Sequence, residues 1–478
     1  MIEKLKSLSK DTLIYGTSTI LGRFLNFLFV PIYTNLFLPA EFGIVANIYA
    51  YIAILNVFFT IGLESGYFKF ASTLEVGSMK ENFSHPFIGI FVNSFILSGI
   101  LFIFSTEFTS VFQIAESREV LLKYTALILF FDAMSTVPFA YLRLEHKPMK
   151  FAVIRLVNIV ATVVFNILFI VILKKGIEYV FISNVIASVL TFVLLIPVII
   201  KNLKISFNRT LINELLRFSL PYIPAGISAN IIQVVNRPIL TALTNDHTVG
   251  IFQANYRLGI FMMLFVSMFE FAWRPFFLQN AKEPEAKKLF AKVMTLFLTV
   301  GAVIFIFLTL FIDNIVAIPL PGRGYLVGKA YWEGLSIVPV ILLAYVFYGI
   351  YVNLMAGIYI EKKTKYLIYI TGSAAVINIA ANFILIPVIG MMGAAVATLI
   401  SYVIEVAGIY YISQKYYRID YEFKKIAFIF VLISAAIVSY FFLKYFDYFL
   451  LKAAIFIVIT SFIFVLKIVD IKIIKRFM

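Results

Sequence analysis

The sequence contains no cysteine, only two tryptophans and only three histidines in 478 residues. The first absence excludes disulfides and thiolate metal sites. The histidines, His85, His146 and His247, stand apart, and none forms the His-Glu-x-x-His pair that holds a catalytic zinc. Two of them precede short or basic segments, which favours surface roles. Charge is scarce as well: 14% of residues are Asp, Glu, Lys or Arg, against about 25% in soluble domains. In their place 62% of residues are hydrophobic. So few charges cannot screen so much apolar surface from water, whereas lipid is a solvent in which no screening is needed. The net charge of +15 does not signal nucleic-acid binding, because the basic residues sit in short segments between apolar runs. Such placement is an orientation signal in a membrane.

A helix needs about 20 mostly apolar residues to cross a bilayer. By this rule about fourteen spans are predicted, over 12–36, 42–63, 83–105, 120–144, 149–173, 177–200, 215–243, 248–274, 290–318, 335–359, 366–388, 390–413, 426–446 and 449–470. The first apolar stretch is too long for the core of a cleavable signal peptide and is expected to stay as span 1. Continuous apolar runs, without ten-residue alternation, argue against a β-barrel. Most of the 40 basic residues fall into alternate connections, such as Lys4, Lys6 and Lys10, Arg143 to Lys150, Lys282 to Lys292, Lys362 to Lys365 and Lys467 to Arg476. That alternation places both termini in the cytoplasm.

The chain also echoes itself. At one constant offset Leu13, Tyr15, Pro31, Thr34, Gly43 and Tyr49 fall on Leu220, Tyr222, Pro238, Thr241, Gly250 and Tyr256. A weaker echo joins Asn158 and Ala161 to Asn378 and Ala381. Span 1 maps onto span 7 in the same orientation, as in parallel repeats that form two bundles and move substrate by alternating access. A duplicated scaffold without transport is the plainer alternative. Polar residues at mid-depth weigh against it.

Charges inside spans are costly, about 2.5–3.5 kcal/mol each at a helix centre on insertion scales, and normally face a bundle interior or a water-filled cavity. Arg23 and Asp132 lie near the middle of their spans. Arg237 and Arg257 fall in outer halves, Arg155, Glu270 and Arg274 toward the cytoplasmic side, and Glu405 in the inner half of span 12. Arginine binds phosphate in bidentate fashion and never loses its charge, so an arginine-lined cavity suggests an anionic substrate such as a pyrophosphate. Arg274 follows Glu270 by four residues, and the pair has a simple structural reading on one helix face. Arg155 has the option of snorkelling to the interface. Arg237 precedes Pro238, and a broken helix is expected there. Asp132 is either a structural partner for an arginine or a titrating coupling group. Asn26, Asn158, Asn166, Asn230 and Asn382 read mainly as interhelical hydrogen-bonding residues.

Enzyme signatures are absent. There is no Gly-x-Ser-x-Gly elbow, and the run from Gly322 to Lys329 lacks phosphate-loop spacing. No large external segment carries acidic catalytic residues, and no nucleotide site is visible. The expectation is a non-enzyme without cofactor or metal.

Several stretches carry a resemblance: Leu13-Ile14-Tyr15-Gly16 through Arg23 to Pro31-Ile32-Tyr33-Thr34, then Glu41-Phe42-Gly43; Arg217-Phe218-Ser219-Leu220-Pro221-Tyr222; Val249-Gly250-Ile251-Phe252; Ala272-Trp273-Arg274-Pro275; Lys362-Lys363-Thr364-Lys365-Tyr366; and Gly390 to Thr398. Together they resemble, over nearly the whole chain, the Wzx-type polysaccharide-biosynthesis flippases of the multidrug/oligosaccharidyl-lipid/polysaccharide (MOP) superfamily. The resemblance implies an all-α polytopic membrane fold: a six-helix lobe over 1–200, a second over 215–413, and two appended helices over 426–470. It implies export of an undecaprenyl-diphosphate-linked oligosaccharide for O-antigen, capsule or exopolysaccharide synthesis in a cell inner membrane. Arg23 and Arg257 match the cavity positions that hold the diphosphate best, with Arg237, Arg155 and Arg274 as further candidates. Asp132, Glu270 and Glu405 are candidates for coupling or pairing. One departure stands out: seventh spans in that family often carry Asp-Arg, where this chain has Asn236-Arg237. Expected partners are the lipid-linked oligosaccharide, membrane lipids, and polysaccharide polymerase and assembly proteins, with no nucleic acid; a monomer is the default expectation. The alternatives are a cation-coupled multidrug exporter of the same superfamily and a membrane glycosyltransferase or polymerase.

Overall fold

The computed structural model describes residues 27–322, 324–443 and 448–465. They are overwhelmingly helical and fall into two compact units, Met1–Gly250 and Ile251–Met478.

Unit 1 contains α1 (Phe29–Leu36), α2 (Pro39–Thr60), α3 (Leu63–Thr73), α4 (Met79–Ile103), α5 (Ser105–Phe112), α6 (Val120–Leu144), α7 (Pro148–Asn166), α8 (Glu178–Asn202), α9 (Arg209–Ser219), α10 (Tyr222–Val234) and α11 (Asn236–Leu243). Local chemistry explains the helix starts. Pro39 and Pro148 open α2 and α7, where a missing N–H costs nothing. The Glu41 carboxylate takes the Leu38 N–H at 3.0 Å, and Ser78 with Glu81 forms a capping box on α4. Beyond Asn166 the α7 chain widens into a π-helix over Ile167–Ile172.

Unit 2 holds most of α12 (Asp246–Tyr256), which carries the boundary, then α13 (Ile260–Asn280), α14 (Ala286–Val316), a two-stranded hairpin of β1 (Pro319–Leu320) and β2 (Gly324–Tyr325), α15 (Val338–Ile360), α16 (Lys365–Ile389), α17 (Met391–Tyr416), α18 (Phe423–Leu443) and α19 (Phe449–Val465). In each unit sequence-adjacent long helices pack together: α7 on α8, α16 on α17. Phe95, Ile103, Tyr369, Val376 and Val388 are more than half exposed, as expected of residues whose solvent is hydrocarbon.

Among the described residues eleven helices are long and apolar enough to cross a membrane, or twelve if the bent pair Arg209–Val234 and Asn236–Leu243 is one span. Each lies on a sequence-predicted span, with ends a few residues away. The count of fourteen is not reached: span 1 lies largely outside the described residues, and span 14 is a shorter apolar helix.

Two breaks interrupt otherwise continuous helices. One is the expected break ahead of Pro238, where the bend is 56°. The other was not foreseen. Ile61 and Gly62 both take left-handed backbone, with φ 41° and 68°, and end α2. The carbonyls freed there are not left bare, because Asn93 of α4 donates to Phe58 O at 2.8 Å and Phe59 O at 2.9 Å. His85, read as a surface group, is instead buried and anchors the segment between α8 and α9: its Nδ1 meets Glu81 O at 2.8 Å and its Nε2 accepts the Asn208 N–H at 3.2 Å.

Candidate functional site

The polar groups of unit 1 form a ladder through the bundle. On α7, Arg155, Asn158, Thr162 and Asn166 recur at intervals of three and four and share one stripe. Val153, Leu156, Val160 and Val164 are exposed and form a second stripe, two residues out of phase. At about 100° per residue the two stripes lie on opposite sides of the helix. The apolar side suits lipid and the polar side meets neighbouring helices. Asn158 donates to Ala187 O at 3.1 Å and to Thr191 Oγ1 at 2.8 Å, while Asn166 accepts the Tyr33 hydroxyl at 2.7 Å.

Arg155 lies with its guanidinium 4.3 Å from the Phe139 ring centre and within electrostatic reach of Asp132, Arg143 and Glu64. Asp132 accepts the Ser188 hydroxyl at 2.7 Å; Asn184 contacts Ser188 at 3.4 Å and accepts the Tyr49 hydroxyl at 2.9 Å. Toward the ends of α6 and α3, Arg143 pairs with Glu64, just beyond the Ile61–Gly62 break. The order Glu64–Arg143, Arg155, Asp132–Ser188, Asn184–Tyr49 therefore steps along the bundle through groups of both signs. Asp132 is twelve residues from the end of α6, about 18 Å along the axis. Asp132 and Arg155 both keep accessible side chains although protein atoms surround them, the condition of groups lining a recess rather than a convex face. Arg237, by contrast, is buried just past the second break and donates to Gln233 O one turn back.

Unit 2 is built differently. Arg257 is half-buried and sits in the 3-10 turn Arg257–Gly259 that joins α12 to α13. The rings of Tyr256, Tyr345, Tyr402, Tyr348 and Tyr351 follow one another at centroid separations of 6.3, 6.4, 5.3 and 6.2 Å. A Cβ on Gly259 would come within 2.8 Å of the Tyr345 ring, so only glycine lets that ring lie against the turn. Glu405 is buried at 3% exposure, with Tyr351 and Tyr402 within electrostatic reach. Glu270 and Arg274 pair at 2.6 Å, one turn apart, the arrangement expected from their spacing. Arg23 and Asn26 lie outside the described residues.

Of the sequence-selected charges, then, Asp132 comes within electrostatic reach of Arg155, and Glu270 forms an ion pair with Arg274. Sequence reasoning missed Tyr49, Glu64, Asn184 and Ser188. Tyr49 alone left a trace, as the repeat partner of Tyr256. In unit 1 its hydroxyl meets Asn184, and in unit 2 the Tyr256 ring lies against that of Tyr345.

The echo between Asn158 and Asn378 is structural too. Asn378 donates to Ala397 O at 3.3 Å and Ser401 Oγ at 2.8 Å. That repeats the Ala187 carbonyl and Thr191 hydroxyl pattern around Asn158, down to the hydroxyl's own bond back to the same carbonyl, 2.8 Å in one case and 2.7 Å in the other.

An all-α polytopic chain of this kind has the fold of the MOP transporters. It superposes on the lipid II flippase MurJ in an inward closed conformation with a TM-score of 0.72, at 18% identity, covering 94% of this chain and 97% of that one. An inward-facing MATE-family multidrug transporter of the MOP superfamily gives 0.64 at 15% identity, covering 81% and 93%. An outward-facing one gives 0.57 at 14%, covering 84% and 94%. The sequence places it more narrowly: residues 8–281 match the profile of the polysaccharide biosynthesis proteins, and the chain belongs to that family. Among curated proteins none is significantly similar in sequence.

Proposed function

We propose that this protein is a flippase that carries a polyprenyl-diphosphate-linked oligosaccharide from the cytoplasmic to the outer leaflet of the inner membrane by alternating access, with both termini in the cytoplasm. The observation that carries the reading is the exposed Arg155–Asp132 rung deep in unit 1. A charged pair facing hydrocarbon at that depth would cost several kcal/mol; facing a water-filled path, it costs little and marks where polar cargo passes. Membership of the polysaccharide biosynthesis family supports this class of cargo, polar headgroups carried on apolar chains. The similarity of fold to a lipid II flippase is consistent with such cargo.

The chemistry divides naturally. Arginines supply fixed positive charge and bidentate geometry for a diphosphate; Arg23 and Arg257 are assigned this contact, with Arg155 on the path and Arg237 as a further candidate. Arg274 has its own carboxylate and is assigned to structure. The tyrosine series around Tyr402 offers ring faces for sugars, the amide and hydroxyl groups of Asn184, Ser188 and Tyr49 offer hydrogen bonds, and Asp132 and Glu405 are the groups proposed to respond to the coupling ion. Glu270, paired with Arg274, is not. The recurrent Asn158 and Asn378 patterns support two duplicated bundles.

The test is flipping of a fluorescent polyprenyl-diphosphate oligosaccharide in proteoliposomes. Wild type is expected to move it, and Arg23→Ala and Arg257→Ala to lower the rate at least about tenfold, the equivalent of one charge-assisted hydrogen bond, while Arg274→Ala stays near wild type. Normal flipping by both variants would overturn the site. Export of organic cations without lipid movement would install the multidrug-exporter reading, and transfer or hydrolysis of a sugar donor would install the enzyme reading.

A further inference from the structure

Where α15 ends and the α16–α17 hairpin closes, three lysine ammoniums gather around two tyrosines, with a fourth lysine, Lys362, next in the chain. The end of α15 is a left-handed turn: Lys362 takes φ 54°, its N–H returns to Tyr359 O at 3.2 Å, and the Lys363 N–H reaches Ile358 O at 2.9 Å. Glycine is the usual residue at such a position; here it is lysine. Tyr366, in the first turn of α16, and Tyr416, the last residue of α17, lie side by side with hydroxyls 2.9 Å apart and ring centres 5.8 Å apart. The Lys363 ammonium stands 4.8 Å from the Tyr416 ring centre, and that of Lys415 5.7 Å from the same ring. The Lys365 ammonium stands 5.5 Å from the Tyr366 ring centre.

Glu361, the neighbour of Lys362 in sequence, is within electrostatic reach of Tyr417 and is the acidic residue nearest in sequence to the group. Some lysines elsewhere have a carboxylate, such as Lys425 with Glu422 at 2.8 Å, Lys288 with Glu285 at 2.8 Å and Lys204 with Glu81 at 3.0 Å, so what sets this group apart is the gathering of its ammoniums on two adjoining rings. Among the described residues none of Lys362, Lys363, Lys365 and Lys415 has an acidic partner within 4.0 Å. Ring faces offset some of the repulsion, and an anion would remove the rest. The surroundings say what kind of anion. One turn or so deeper along the same two helices Ile368, Tyr369 and Tyr411 are 55, 72 and 70% exposed. A molecule with its anionic group among the lysines therefore has an apolar wall beside it, on the side where the spans enter hydrocarbon. A soluble phosphate gains nothing from that wall; a lipid does.

We propose that the Lys362, Lys363, Lys365 and Lys415 cluster, with the Tyr366–Tyr416 pair, is a binding site for the phosphate of an anionic phospholipid in the leaflet on the basic face of the protein. Lysine suits such a site because its ammonium is a mobile point charge rather than a fixed fork, and that mobility favours an exchangeable phosphodiester. Basic clusters at the membrane surface are a recognised means of holding anionic headgroups. The site is independent of what cargo the protein carries.

The experiment compares full-length wild type with the triple variant Lys363→Gln, Lys365→Gln, Lys415→Gln. A control, Lys150→Gln, Lys201→Gln, Lys282→Gln, removes the same charge from exposed positions elsewhere. Each is titrated in detergent with phosphatidylglycerol, phosphatidylcholine or inorganic pyrophosphate, and bound lipid is counted by native mass spectrometry. Circular dichroism and lipid-free melting report folding. Wild type and control are expected to retain phosphatidylglycerol about 10- to 100-fold better than phosphatidylcholine, from three lysines at the surface. The triple variant is expected to lose that preference with unchanged helicity. Equal preference in the triple variant would reduce the lysines to orientation anchors. Loss in the control as well would make the effect one of net charge. Pyrophosphate binding without lipid preference would make it a soluble-phosphate site. Each of these three results overturns the proposal.

Discussion

A charge inside a membrane announces that it has a reason to be there, but sequence names its partner only when geometry is local. Glu270 and Arg274 were legible as a pair because four residues along a helix is one turn. Asp132 was not, because its partners Ser188 and Arg155 lie on other helices, and helix rotation decides which of many polar groups it meets. Lys452 shows the same limit. It is 4% exposed on α19, with its ammonium 3.6 Å from Asp313 and 3.1 Å from Asn314 Oδ1 of α14. Removing one member of a buried ion pair leaves the other charge without compensation and costs about 3–5 kcal/mol, whereas replacing both is often near neutral. Lys452→Met is therefore expected to lower the melting temperature in detergent markedly, and Lys452→Met with Asp313→Asn to recover most of it. A double variant as unstable as the single would assign the loss to packing around the lysine rather than to the stranded charge.

At the scale of the element, hydropathy located the spans because crossing a bilayer imposes one length on all of them. It could not locate the break at Ile61–Gly62. Averaging over a window erases a two-residue change of backbone hand, and the cap that makes the break tolerable, Asn93, comes from another helix. The repeat, in contrast, left a signal whose meaning is now physical. Gly43 of α2 and Gly250 of α12 are repeat-related, and they meet. A Cβ on Gly43 would lie 1.8 Å from Asp246 O, and one on Gly250 would lie 1.8 Å from Pro39 O. Neither backbone can yield without parting the two helices. Gly43→Val and Gly250→Val are each expected to destabilise by more than the roughly 1–3 kcal/mol of ordinary overpacking, and by similar amounts because the contact is reciprocal. Gly99→Val, at a site with open space around it, is the control. Thermal melting of the three proteins decides the matter, and a Gly43 variant as stable as the Gly99 one would mean that the crossing is not close in solution.

For the molecule as a whole, composition dictated that lipid is the solvent, and the family profile agrees with the resemblance carried by short motifs in order. The orientation of faces is a different matter, because an exposed residue in a membrane protein touches either lipid or water, and burial cannot tell them apart. Chemistry can. Thiol reagents attack as thiolates form, and thiolates form only in water. The absence of cysteine makes the natural chain a ready background for the measurement. Asp132→Cys and Thr136→Cys, one turn apart on α6, are expected to react with a membrane-impermeant methanethiosulfonate reagent at rates near those of a loop cysteine. Phe95→Cys and Val160→Cys, both exposed on apolar stripes, are expected to react at least about a hundredfold more slowly, as thiols held in hydrocarbon do. A lipid-linked oligosaccharide added beforehand should protect the first pair and leave the second unchanged. If Asp132→Cys and Thr136→Cys prove as inert as the apolar pair in every ionic condition, that rung faces lipid. The path through unit 1 would then be abandoned, and Asp132 and Arg155 would be structural groups, the first held by the Ser188 hydroxyl and the second by the Phe139 ring.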